Sequence, residues 1–180
     1  MTAILRNSLL ISTHPGTYES IFDEEDRHNN SSPQYLTVFN GKLYFNARDS
    51  NYGTELWVYD GNTAQIAADI RPGSSSSLPS FLTTFNDKLY FNANAGDKGN
   101  ELWVYDGNSA QLVADINPAS SYYDYSDGFY RYRPNGSNPH WLTVFDDKLF
   151  FRADDGTSGN ELWVYDPVAH EVVQVAANLA

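Results

Sequence analysis

The chain has no cysteine. That excludes disulfides and thiolate metal sites, and it removes redox chemistry as a guide to compartment. It also has no apolar run approaching the ~20 residues that a membrane-crossing helix needs. Ile4 to Ile11 is apolar in places, but Arg6, Asn7 and Ser8 interrupt it, so it lacks the continuous apolar core of a secretory signal. A cytoplasmic address and export by another route both stay open. Positive charge is scarce: eleven Lys and Arg face twenty-three Asp and Glu, a formal net charge of −12. Such a chain repels phosphate backbones, which argues against a nucleic acid partner and suits cations, basic surfaces or neutral ligands. Catalytic signatures are missing as well. There is no Gly-x-Ser-x-Gly, phosphate loop or His-Glu-x-x-His, and His14, His28, His140 and His170 lie far apart.

Aromatic side chains, by contrast, are abundant. They make up 15% of the chain, with thirteen Tyr and ten Phe, a composition suited to strands. A repeat organises them. Glu55-Leu56-Trp57-Val58-Tyr59-Asp60 returns unchanged as Glu101 to Asp106 and as Glu161 to Asp166, and such self-similarity marks a repeat architecture. Ahead of each copy stand Leu36-Thr37-Val38-Phe39, Leu82-Thr83-Thr84-Phe85 or Leu142-Thr143-Val144-Phe145. A turn follows at Asn40-Gly41, Asn86-Asp87 or Asp146-Asp147, then Lys42 to Phe45, Lys88 to Phe91 or Lys148 to Phe151. Asn-Gly is a strong hairpin signal because both residues tolerate positive φ. Second turns at Asp60-Gly61-Asn62 and Asp106-Gly107-Asn108 lead to a fourth strand at Gln65 to Ile70, Gln111 to Ile116 and Glu171 to Val175.

Each unit therefore reads as a four-stranded antiparallel meander. Leu56 and Val58 alternate with Trp57 and Tyr59, so both faces of the hexapeptide strand are apolar and call for burial on both sides. Stacked four-stranded sheets of this kind are the logic of a β-propeller. The expected fold is all-β, a single repeat domain over 1–180, with propeller-like units at about 32–77, 78–118 and 138–180. Long loops fall at 14–34 and 119–137, and Ile4 to Ile11 reads as an extra N-terminal strand. Three sheets do not easily close a ring, so a homodimer completing a six-bladed ring is expected. A β-trefoil is the alternative.

These submotifs resemble the bacterial ELWxxDGT repeat, itself similar in style to kelch blades. The resemblance rests on Gly41 to Phe45, the link Asp154-Asp155-Gly156-Thr157-Ser158-Gly159, Glu161-Leu162-Trp163 and Asp69-Ile70-Arg71-Pro72-Gly73. It covers residues ~32 to 180 and implies a propeller-like fold, frequent in secreted or surface proteins, without implying an activity. The chain departs from the pattern in having three units and two enlarged loops. Asp166-Pro167 stands where the other units have Asp-Gly, and Val175-Ala176-Ala177 where they have Asp69 or Asp115.

Function is sought where the copies differ. The second long loop carries Tyr122, Tyr123, Asp124, Tyr125, Tyr130, Arg131 and Arg133 and ends near His140 and Trp141. Tyr-rich loops make adaptable binding surfaces, and exposed rings beside carboxylates suit sugars, whose apolar faces stack on aromatics. His14 and Tyr18 sit in the first long loop, expected at the same end. The acids Asp23 to Asp26 read as a solvated loop. The links Asp49 to Gly53, Asn94 to Gly99 and Asp154 to Gly159 are oxygen-rich, which makes calcium the one candidate cofactor, but they lack calcium-loop spacing and plain turn chemistry explains them equally well. Glu55, Glu101 and Glu161 are expected to fasten each unit by a hydrogen bond or by ion pairs to Lys42, Lys88 and Lys148. The leading expectation is a non-catalytic, lectin-like module binding a glycan or small molecule. The alternatives are an enzyme at the same loops, with an acid–base pair such as Tyr130 and Asp124 helped by Arg131, and a structural or assembly protein.

Overall fold

Asn40 and Gly41 turn Gln34–Phe39 (β1) back onto Lys42–Asp49 (β2), both at positive φ, 47° and 71°. The paired positions Asn86-Asp87 and Asp146-Asp147 do the same at 46–53°, because Asn and Asp tolerate the left-handed region better than other side chains. In the computed structural model, which describes residues 30–118, 122–126, 129–133 and 136–176, these turns build three sheets. The first continues with Gly53–Tyr59 (β3) and Ala64–Ala68 (β4). The second comprises Ser80–Phe85 (β5), Lys88–Asn94 (β6), Asn100–Tyr105 (β7) and Ala110–Ala114 (β8). A two-stranded hairpin follows, Tyr122–Ser126 (β9) with Phe129–Arg133 (β10). The third sheet is His140–Phe145 (β11), Lys148–Asp154 (β12), Asn160–Asp166 (β13) and Glu171–Ala176 (β14). No helix occurs among the described residues, hence none long and apolar enough to cross a membrane.

Every sheet takes its strands in sequence order, all antiparallel. A trefoil would need strands of different repeats to pair with one another; here each repeat closes its own sheet, so that alternative fails. The β3–β4 turn is held by Asp60, whose Oδ1 accepts the Asn62 and Thr63 N–H groups at 2.8 and 2.9 Å. Asp106 repeats this for Asn108 and Ser109, and Asp166 for Val168 and Ala169. The Asp-Pro sequence of the third unit thus keeps the turn, since Pro167 sits where no donor is required.

The sheets pack face to face in sequence order. The front of the first sheet (Phe39, Tyr44, Leu56, Val58) meets the back of the second (Leu82, Leu89, Phe91, Ala93) in one core cluster. The front of the second (Phe85, Tyr90, Leu102) meets the back of the third (Leu142, Leu149, Phe151, Ala153) in the other. Tyr44 contacts Tyr105 across the first interface and Tyr90 contacts Tyr165 across the second, with ring centroids 5.7 and 5.6 Å apart. The hexapeptide strand of the second sheet is therefore covered on both faces, as its alternation predicts, while those of the first and third sheets are covered on one.

The bounds of the fourth strands differ from expectation. The fourth strands stop at Ala68 and Ala114, short of Ile70 and Ile116. The ladder shifts register at Leu56/Trp57 and Leu102/Trp103, and Ile70 and Ile116 give their N–H groups to Glu55 and Glu101 instead. Within the 119–137 connection, Tyr122–Ser126 and Phe129–Arg133 pair as the antiparallel ribbon β9–β10. The extra strand at Ile4 to Ile11 and most of the 14–34 loop, with His14, Tyr18 and Asp23 to Asp26, lie outside the described residues.

Candidate functional site

The repeated acids are structural. Glu55 is fully buried and its two carboxylate oxygens take the Ile70 N–H (2.9 Å), the Ser77 N–H (2.7 Å) and the Ser77 hydroxyl (2.5 Å). Glu101 does the same with Ile116 (3.1 Å), Ser137 N–H (2.8 Å) and Ser137 hydroxyl (2.5 Å). Burial pushes both carboxyl groups above the ordinary Glu value, against the pull of these donors. The hydrogen-bond half of the expectation stands for Glu55 and Glu101. The ion pairs do not form: Lys148 binds Asp166 at 2.8 Å, a surface contact that the short reach to the β13–β14 turn permits. Ser77 and Ser137 belong to the connectors into the second and third sheets, so each Glu clasps the entry to the next repeat and does more than fasten its own.

The oxygen-rich links are likewise occupied by their own backbone. Asp49, Asn94 and Asp154 accept the N–H two residues on, at 2.7 Å in each case. Asp155 accepts Thr157 and Ser158 N–H, which lowers its pKa, with Ser158 the larger cause. Among the described residues, no three His, Asp or Glu side chains converge as a metal site would need.

The unusual chemistry lies where each sheet's first strand begins. Tyr35, Phe81 and Trp141 occupy the same repeat position, each at positive φ (56°, 57° and 56°). Each sits at a break in register, between Gln34 and Thr37, Ser80 and Thr83, and His140 and Thr143. Aromatic residues in the left-handed region cost of order 1–3 kcal/mol apiece, and bulges of this kind re-aim side chains. The rings form a row: Tyr35–Phe81 at 5.5 Å, Phe81–His140 at 4.7 Å, His140–Trp141 at 6.3 Å. The Arg152 guanidinium lies 5.3 Å from the Trp141 ring centre. Trp141 is 65% exposed and Tyr35 40%. Glycine or asparagine would relieve the strain, yet all three positions keep a large ring, two of them open to solvent.

The hairpin stands in the connection that leads into this row. Its register pairs Tyr130 with Tyr125, Arg131 with Asp124, Tyr132 with Tyr123 and Arg133 with Tyr122. Of the expected site residues, His140 and Trp141 join the aromatic row, the seven hairpin residues share one ribbon, and His14 and Tyr18 lie outside the described residues. Tyr35, Phe81 and Arg152 were missed. The signal lies in the repeat itself: an aromatic precedes Leu-Thr in all three copies, as Tyr35, Phe81 and Trp141.

A shallow depression lies between the β1–β2 and β5–β6 turns, lined by Val38, Phe39, Asn40 and Thr84 to Asp87. It is at the other end of the sheets, away from the aromatic row. No family model, curated protein or solved structure matches the chain.

Proposed function

We propose that this protein is a non-catalytic binding module of propeller type, lectin-like, taking a glycan or small neutral ligand at the end that carries the hairpin. We also infer that its repeat is of the ELWxxDGT kind found in bacteria, and that two copies close a six-bladed ring. The observation that carries the binding reading is the row Tyr35–Phe81–His140–Trp141, in which Tyr35, Phe81 and Trp141 repeat one strained position and Tyr35 and Trp141 are open to solvent. Sugar C–H faces stack on such rings, while Arg152 offers donors to hydroxyl groups.

The test is a glycan surface screen followed by titration calorimetry on any hit. Trp141→Ala and Tyr35→Ala are expected to weaken binding about two- to tenfold each, since aromatic stacking contributes ~0.5–1.5 kcal/mol. Tyr125→Ala and Tyr130→Ala probe the ribbon in the same way. Binding that survives all four changes places the ligand elsewhere, and no binding on any surface sinks the lectin-like reading.

A further inference from the structure

The two internal interfaces follow one rule, and the chain carries that rule's unused halves at its two ends. The third sheet presents the front-face set again. Phe145 is 69% exposed there, whereas Phe39 and Phe85 are 3% and 6% exposed at the same position. Leu162 is also exposed, in contrast to Leu56 and Leu102, which are fully buried. The first sheet presents the back-face set. Leu36 is 59% exposed against 9% for both Leu82 and Leu142, and Phe45 is only half-buried where Phe91 and Phe151 are covered.

The polar contacts show the same truncation. The Thr37 hydroxyl donates to the Leu82 carbonyl (3.2 Å) and Thr83 to Leu142 (3.4 Å), while among the described residues Thr143 reaches only the Trp141 carbonyl. Glu55 clasps Ser77 and Glu101 clasps Ser137, but among the described residues no donor meets Glu161, and it is only half-buried. Ser77 and Ser137 each open the motif Ser-x-Pro-x-aromatic-Leu-Thr. Its third copy begins at Ser31, ahead of Pro33, Tyr35, Leu36 and Thr37, and Ser31 is exposed.

We propose that the occupant of both open faces is a second copy of this chain, joined head to tail. The front of the third sheet of one copy packs on the back of the first sheet of the other. Glu161 accepts from Ser31 across that joint, Thr143 donates to the Leu36 carbonyl, and Phe150 meets Tyr59 as Tyr44 meets Tyr105. The interface is heterologous, and a ring of two contains it twice. This rests on the ring reading above and names the contacts that close it.

Sedimentation velocity of the full chain tests it, on wild type, Phe145→Asp, Leu36→Asp, an equimolar mixture of those two, and Glu161→Ala. Both Asp positions are solvent-exposed, and circular dichroism verifies that the sheets persist. Wild type is expected at twice 20.2 kDa and each Asp variant at the single mass. The mixture is expected to regain the double mass, because the intact back of one variant meets the intact front of the other. Glu161→Ala raises the dissociation constant about tenfold or more, the worth of a hydrogen bond to a charged group. A wild-type monomer overturns the joint and the ring reading together. A dimer indifferent to both Asp changes overturns the joint and leaves a dimer by another surface. A mixture that stays monomeric overturns head-to-tail packing. Assemblies larger than two copies that show the same variant pattern support the joint and overturn the closed pair.

Discussion

Glu101→Ala is the sharpest single test of how the repeats are joined. The change removes an acceptor of three hydrogen bonds from a fully buried position. The backbone N–H groups of Ile116 and Ser137 are left without that partner, and each such buried donor costs about 1–3 kcal/mol. The expected loss is therefore roughly 2–6 kcal/mol, a large share of the ~5–15 kcal/mol that holds a domain of this size folded. Ser137→Ala removes only the hydroxyl at 2.5 Å, a bond to a carboxylate for which about 1.5–3 kcal/mol is expected. If the hydroxyl acts solely through Glu101, the double variant is no less stable than Glu101→Ala, and the cycle yields a coupling of about 1.5–3 kcal/mol. Urea unfolding at neutral pH with an unchanged m value measures all four corners. A coupling near zero, with Ser137→Ala equally costly in both backgrounds, would refute the clasp.

Other outcomes follow from the same contacts. Burial raises the Glu55 and Glu101 pKa values, so the folded state holds their protons more tightly than the unfolded state does. Their contribution is fully present below the ordinary Glu value of about 4.3 and is lost as pH rises through the raised one. Melting curves taken from about pH 4 to 8 should show this decline, and the Glu55→Gln/Glu101→Gln variant should flatten it. Asp166 is shifted the other way, down to about 2, first by Lys148 and then by the Ala169 and Val168 N–H groups. Carboxyl NMR should place its midpoint there, and Lys148→Ala should move it back toward the ordinary range. Gly136→Ala should destabilise by more than the ~1 kcal/mol typical of point changes, because its Cβ would stand 2.3 Å from the Asn100 backbone nitrogen. A melting temperature equal to wild type would mean that the Gly136 connector can shift freely.

Much of this fold could be read from residues alone, for definite reasons. The turns announce themselves because Asn-Gly, Asn-Asp and Asp-Asp tolerate positive φ, and the hexapeptide because period-two apolar alternation demands cover on both sides. The partners of Glu55 and Glu101 could not be read, since the bond spans 22 residues in one case and 36 in the other, and only folding brings the connector to the acid. The aromatic row stayed hidden for a related reason. Tyr35, Phe81 and Trp141 look like ordinary strand residues until a register break turns them out of the ladder. The hairpin was obscured by its own composition, because Tyr, Ser and Gly suit a binding loop and a twisted ribbon equally.

The Glu–Ser clasp also sets an order of disassembly. Each joint ties a finished sheet to the first residues of its successor, so stability belongs to neighbouring pairs, as in a one-dimensional chain of coupled spins. Within a single copy, the first and second sheets have a clasp on their outgoing side, and among the described residues the third has none. In the single-mass Phe145→Asp variant, amide exchange should therefore run in a gradient, fastest in β13 and β14 and slowest in β6 and β7, where both neighbours hold the strand. The middle repeat is the keystone of the chain, and the end repeat is the page that turns first.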